Sequence, residues 1–533
     1  IILVLGLRGV LAVNGLRHFW PSKVTQGTYL APGFNSTELI GEVTRTEWVA
    51  AEVLIASGLS VDPGQDLYRR DLWKLGNRDL NSIDFAWVLS DFVTEVSTPE
   101  RVAVFERNQG GVFYGAISSL VLGEDLDPSL ALLDDQSLWT QFQLRLDEVR
   151  KLDKLIQSIQ SVELARATSD LERLGLRERA AMLEGELSPI LTQQFSAQRL
   201  EIQVELASLQ HQLNQLYAQI ERDSVLVRAS NDVEVSIPLA EIVRAYQPNN
   251  LSLTGKLSVF GQRLWEFLTG EPREGNTEGG VSPAIFGTVV MVLLMSLFVT
   301  PFGVIAAVYL REYAKQGMTT RIIRVAVNNL AGVPSIVYGV FGLGFFVYLI
   351  GGEIDQLFYA EALPSPTFGA PGLLWAALTL ALLTVPVVIV ATEEGLTRIP
   401  RSVREGSLAL GATKFETIWR IVLPMVSPAM MTGLILAIAR AAGEVAPLML
   451  VGVVKLAPSL PVNGIYPYVH LDQQFMHLGF HIYDVGFQSP NIEAAKPLVF
   501  ATALLLVSVI AILNLTAAVL RDRLRETYRS LDV

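Results

Sequence analysis

Four stretches of this sequence, 282–310, 325–352, 362–392 and 497–520, contain no charged residue. Each is longer than the roughly 20 apolar residues that carry a helix across a bilayer. A fifth run, 421–454, is interrupted only by Arg440 and Glu444. A soluble core has no room for five such segments, so a membrane protein is expected. Composition agrees, since half of the 533 residues are apolar and 18% are charged, which excludes a disordered chain and is too apolar for an ordinary soluble enzyme. With no cysteine, the chain has no disulfide scaffold, zinc-thiolate site or thiol nucleophile.

The basic residues set the orientation. Arg311, Lys315, Arg321 and Arg324 follow the first run, Arg398, Arg401, Arg404, Lys414 and Arg420 the third, and Arg521, Arg523, Arg525 and Arg529 the last, while the opposite loops carry only Lys455 and Lys496. The basic side is therefore cytoplasmic and residue 281 lies outside. Residues 1–13 are apolar and read as the end of a first membrane helix, which makes six spans. A cleaved signal peptide is the competing reading, but Val10 and Asn14 flank Ala12 where small residues are wanted.

Residues 14–280 form a separate external, periplasmic domain, with 24 Lys and Arg against 38 Asp and Glu, whereas 281–533 hold 16 against 15. That acidity argues against a nucleic-acid partner. Two hairpins are expected, one around Asn108-Gln109-Gly110-Gly111 and one around Ser230-Asn231-Asp232. Between them, residues 141–222 carry Leu152, Leu155, Ile159 and Val162, then Val204, Leu206, Leu209, Leu213, Leu216 and Ile220, at heptad-like spacing, with a break at 185–189. The expected fold is thus a polytopic α-helical membrane protein with a soluble α/β domain, a β-rich base bearing a helical-hairpin coiled coil. Leu257, Phe260, Leu264 and Phe267 form an apolar stripe that suits either the membrane surface or ordinary core.

Catalytic signatures are missing. The sequence has no G-x-x-x-x-G-K-[ST], no H-E-x-x-H and no G-x-S-x-G, so no catalytic residue is assigned and the chain is not expected to be an enzyme. His470, His477 and His481 share one outer loop and have the donor type for zinc, but nothing in the sequence supports them as ligands, and they read as loop residues; no metal site is assigned.

Two segments carry functional content. The first is the cytoplasmic loop 393–424, where Pro400 ends one element, Ser402 is placed to cap a short helix, Gly411 closes it, and a second helix stops at Pro424. The second is the pair Arg440 and Glu444, four residues apart inside a span, where an ionisable group costs at least about 2.5 kcal/mol. A guanidinium there offers a planar fork for a tetrahedral oxyanion, with Glu444 holding the fork or accepting an oxyanion's proton. The bland reading is an ion pair that locks helices together.

Glu405, Gly411, Ile421, Leu423 and Pro424 fall in register with the E-A-A-x-x-x-G-x9-I-x-L-P loop of ABC importer permeases, which this segment resembles, with Gly406-Ser407 in place of the two alanines. The run 439–448, Ala-Arg-Ala-Ala-Gly-Glu-Val-Ala-Pro-Leu, together with 329–339 and 306–314, is similar to the A-type permease subunits (PstA) of phosphate-specific ABC importers. The resemblance covers most of 282–520. It implies a type I ABC importer permease in a bacterial inner membrane, with inorganic phosphate as cargo and Arg440 and Glu444 on its path. It also implies that Arg404, Glu405, Gly406, Ser407, Leu408, Gly411 and Ala412 couple to a cytoplasmic ATPase dimer. The implied partners further include a second, C-type permease subunit, a periplasmic phosphate-binding protein and membrane lipid, with ATP and magnesium bound by the ATPase and no cofactor in this chain. Two positions depart from the family. Val390-Ala391-Thr392-Glu393 lacks the arginine that relatives place before Thr-Thr-Glu, and Val445 replaces a threonine. Importers of phosphonate, sulfate or molybdate, and a membrane scaffold or sensor of phosphate status, are the alternatives.

Overall fold

The computed structural model describes residues 2–528 apart from 31–35, 60, 63, 82, 124, 127–133, 490 and 491. Two compact units emerge, one made of Ile1–Gly15 with Val281–Val533, the other of Leu16–Gly280.

In the first unit, five helices have the length and apolarity to cross a membrane: Ser282–Tyr313, Ser335–Phe358, Leu373–Arg398, Lys414–Ala441 and Ala495–Arg523. Leu373–Arg398 is two-thirds buried, against about a quarter for each of the others, so it is the axle on which they pack. Small residues allow that closeness. Gly433 lies against Ala391 and Val388, and Gly395 against Ala429 and Val426, so Lys414–Ala441 runs antiparallel to the axle with the backbones almost touching. Met291, Met295, Val299, Leu380, Leu383, Ala437 and Ala441 fill the space between the helices. The apolar run at the start of the chain is helical over Ile2–Arg17, and its Gly15 abuts the backbone of Phe500 and Ala501 in the last long helix.

The second unit is built on two antiparallel sheets. The first orders its strands Phe85–Leu89, Leu67–Lys74, Thr37–Ala50, Val24–Tyr29, Val93–Ser97. The second orders them Glu234–Pro238, Ser224–Arg228, Val112–Leu122, Ala103–Arg107, Ile242–Tyr246, with Asp125–Leu126 beside Val112–Leu122. Both expected hairpins are present. Gly110 and Gly111 adopt φ of +80° and +69° at the first turn, and Asp232 adopts +56° at the second, the left-handed geometry such turns need.

Helices Asp135–Ser158 and Ala165–Leu183, joined through a π-helical segment Ile159–Leu164, form one arm, and Pro189–Ile220 returns beside it. Contacts between Gln160 and Tyr217 and between Glu178 and Arg199 show the arms to be antiparallel. The buried line runs through Phe142, Leu146, Val149, Ile156 and Ile159, then Ala167 and Leu174. Leu155, Val162 and Val204, which the heptad reading places inside, are exposed. At Val162 the cause is the wide turn itself, whose extra residue shifts the phase of the first arm from there on; Leu155, before it, and Val204, on the returning arm, are not explained by it.

The helix Leu253–Thr269 divides its apolar stripe between the two readings, with Phe267 in a core and Leu257 exposed. Its four-residue stripe is not one free face, because Phe267 is buried against Phe19, and Phe260 packs edge-on to Phe19 and beside Trp20. Residues 19–20 supply partners that the helix alone could not disclose.

An alternating charge network holds that helix to the second sheet. Glu106 accepts from Arg263 and Arg244, Arg244 also binds Glu266, and Glu266 binds Arg273 at 2.8 Å. Burial by itself would push the Glu106 carboxyl up, but the two guanidiniums overcome it and hold the group at about 2. A carboxyl depressed in the folded state stabilises above its ordinary value near 4.5 and loses that contribution as pH falls towards 2. The shift corresponds to about 3 kcal/mol. Glu106→Gln should therefore destabilise the external unit by roughly that amount at pH 7 and flatten its acid dependence between about pH 5 and 2, as read by denaturant unfolding of the chain against pH.

Candidate functional site

The loop 393–424 folds as a short helix Arg401–Ala409, a turn, and a second helix that leads into the long apolar helix Lys414–Ala441. Pro400 rather than Ser402 stands at the N-cap, and Ser402 lies in the first turn. Gly411 at φ +90° ends the short helix, as its position implies. Thr413 and Glu416 then form a capping box for Lys414–Thr417. Pro424 does not stop the second helix. The π-helical segment Ile418–Val422 precedes it and Leu423–Ala441 continues the span, because a wide turn relieves the carbonyl that a proline four residues on would strike.

The candidate coupling residues separate into two sets. Arg404 faces inward. Its Nε and Nη2 donate to Glu312 Oε1 at 3.2 and 2.8 Å, Nη1 donates to the Ile399 carbonyl at 2.8 Å, and Nη2 also reaches the Leu396 carbonyl at 2.9 Å. Ser407 is buried, 2.9 Å from the Thr417 hydroxyl. Lys414 binds the Glu312 carbonyl and lies over the Tyr313 ring. These residues weld the short helix to the inner ends of Ser282–Tyr313 and Leu373–Arg398. Arg324 and Glu393, 3.1 Å apart, add a second tie to the latter. Glu405, Gly406, Leu408 and Gly411 face outward, and Ala412 is half-buried.

Three residues that sequence reasoning passed over complete the outward surface. Leu410 is 91% exposed, and the exposed rings of Phe415 and Trp419 stack at 6.1 Å. Their spacing of four on a helix, beside a glycine-ended turn, was the available signal.

Arg440 and Glu444 are brought together, with Nε 3.5 Å from Oε1. The antiparallel register set by Gly433 and Gly395 puts Arg440 at about the level of Leu383, near the midpoint of the axle. The span, however, does not continue through them. The helix ends at Ala441, residues 442–447 are non-helical, and one short turn, Leu448–Val451, follows. Arg440 thus sits in the last turn of a helix, where the unpaired carbonyls favour a cation. Non-helical backbone at this depth is tolerated only where it is buried in protein or lines a cavity. The two side chains keep 31% and 21% of their surface accessible, so the pair opens onto the surface of this subunit. Because both residues belong to one segment, the pair does not clamp two helices together.

The three loop histidines are not loop-surface residues. His477 caps the helix Leu478–Tyr483 through Nδ1, His481 is buried 3.4 Å from Thr502, and His470 bonds Asn463 at 3.0 Å. Burial pushes His477 and His481 down to about 4, so both rings are neutral at pH 7. They fold inward because the loop 452–477 returns over the axle's outer end, where Leu373 and Leu374 donate to the Gln473 and Leu471 carbonyls. Among the described residues no group of three or more His, Cys, Asp or Glu is placed to hold a metal ion.

Residues 299–526 match the family model of the binding-protein-dependent transport system inner membrane component. The phosphate transport system permease protein PstA 1 of Mycobacterium tuberculosis is 35% identical over 244 residues, covering 46% of this chain and 71% of that protein. The probable phosphate transport system permease protein PstA of Methanocaldococcus jannaschii is 30% identical, covering 39% and 67%, and the probable ABC transporter permease protein YqgI of Bacillus subtilis is 28% identical, covering 48% and 82%. The matched region contains the loop 393–424, the axle and the broken helix, while the unit Leu16–Gly280 lies outside it. The chain is an inner-membrane component and an ABC transporter permease subunit, and it belongs to the PstA-type permeases.

Proposed function

We propose that this chain forms half of the translocation path of an ATP-driven importer of inorganic phosphate, with six spans and with residues 14–280 on the periplasmic side. The observation that carries the reading is the helix broken at mid-depth, with Arg440 and Glu444 paired and accessible at the break. The relatives named for phosphate transport supply the cargo. A second permease subunit faces the pair and completes the path. A periplasmic phosphate-binding protein delivers the ion, and a cytoplasmic ATPase dimer binds ATP and magnesium and supplies the power.

Arg440 offers donors to phosphate oxygens. Glu444 has a separate task. A carboxylate repels a fully ionised oxyanion but accepts a hydrogen bond from a P–OH group, and phosphate keeps at least one proton at neutral pH while sulfate keeps none. The pair therefore prefers phosphate, and arsenate with it, to sulfate. Coupling runs through the short helix. Leu408, Leu410, Phe415 and Trp419 dock on the ATPase, and the Arg404–Glu312 and Lys414 contacts pass the movement to the spans as one rigid body.

Competition in vesicles tests the reading. Glu444→Gln should slow phosphate uptake about tenfold and let sulfate compete measurably, whereas the parent should be inhibited by arsenate and not by sulfate; unchanged discrimination in the variant removes Glu444 from the site. Arg404→Ala should leave the ATPase bound yet reduce phosphate moved per ATP hydrolysed about tenfold or more, since the clamp is lost and the docking surface is not. Leu410→Asp should instead reduce co-purification of the ATPase, because a charge enters a desolvated apolar contact.

A further inference from the structure

The helix Leu253–Thr269 carries its polarity inside out. Of its charged residues, Arg263 and Glu266 point into the protein, tied to Glu106, Arg244 and Arg273, and Lys256 is half-buried. Its outward positions are Leu253, Thr254, Leu257, Ser258, Gly261, Gln262, Trp265 and Thr269, with no charge among them. Leu253 and Trp265 are 68% exposed and Leu257 52%. A water-facing helix normally places its charges outward, so this face is made for a less polar neighbour.

We infer that this face lies in the outer interfacial layer of the lipid bilayer, with Trp265 and Trp20 at the level of the headgroups. Connectivity selects lipid as the occupant. Trp20 follows the apolar helix Ile2–Arg17 by three residues, a reach of at most about 10 Å, and it packs against Phe260 of the same helix at 6.1 Å. The other end of the helix leads within a short stretch of chain to the long apolar helix that starts at Ser282. Apolar side chains flanked by tryptophans, with the strongly charged groups withdrawn, are the composition that settles at a membrane interface. The surface anchors the external unit to the membrane. The inference rests on Ile2–Arg17 being a membrane helix.

The chain's lack of cysteine makes the test direct. Single cysteines are placed by Leu257→Cys, Gly261→Cys, Leu183→Cys at the hairpin end and Val10→Cys in the first helix, each spin-labelled in the full chain in phospholipid nanodiscs. Accessibility to oxygen and to a water-soluble nickel chelate is then compared. Positions 257 and 261 should favour oxygen over nickel several-fold, as position 10 does, while 183 favours nickel. Labels at 257 and 261 that read like 183, or that are immobilised and shielded from both reagents as in a protein contact, overturn the inference. If position 10 reads as lipid in that case, the first-span reading survives alone; if position 10 also reads as water, both fall.

Discussion

A guanidinium halfway through a bilayer must be paired, hydrated or bound to an anion, and that requirement organises the membrane unit. Arg440 meets it through three features that depend on one another. The helix stops one residue later, so its carbonyl dipoles face the charge; Glu444 lies within 3.5 Å; and the backbone of 442–447 is irregular only where it is shielded by protein or open to a path. The close packing at Gly433 and Gly395 fixes the depth of the break. A larger residue at either position would push the two helices apart and shift the break, with both of its charges, along the axle.

The same rigidity holds at the other end of the axle, around the short helix Arg401–Ala409. A coupling element transmits movement only if it cannot rotate independently of the spans. Each of the three guanidinium nitrogens of Arg404 donates to Glu312 or to one of two carbonyls near the end of the axle, and Ser407 and Thr417 close the inner face of the turn. What remains outside is apolar and exposed. The division between an inward charged clamp and an outward apolar contact follows from where water is: a charge pair is strongest when shielded, and an apolar patch gains most by being covered.

Much of this was legible in the residues. Charge-free runs gave the long helices, and Pro400 with Gly411 the bounds of the short helix. Side-chain direction was not legible. Arg404 was grouped with Glu405, Gly406 and Leu408 as a coupling residue, and a nine-residue helix has no periodicity strong enough to separate its faces. The end of the helix at Ala441 was signalled by Gly443 and Pro447, yet uncharged flanks made the span read as continuous. Pro424 misled in the opposite sense, since a π-helical turn before a proline leaves no mark in a single sequence. In the external unit the two hairpins with glycine or aspartate turns were evident, whereas the first sheet was not. Its longest strand, Thr37–Ala50, has no regular alternation and shifts register between Val43 and Arg45. The stripe on Leu253–Thr269 stayed open between surface and core for a different reason, because its aromatic partners come from residues 19–20, far away in sequence.

The account stands on the charge at the break being the cargo's contact. The most direct measurement is uptake of radiolabelled phosphate by the assembled importer carrying Arg440→Gln, alongside Arg440→Lys, with subunit assembly and ATP hydrolysis checked in parallel. The account predicts a fall of about a hundredfold or more for glutamine and a partial recovery for lysine, which keeps the charge and loses the fork. Uptake at the parent rate in a fully assembled Arg440→Gln importer would contradict it.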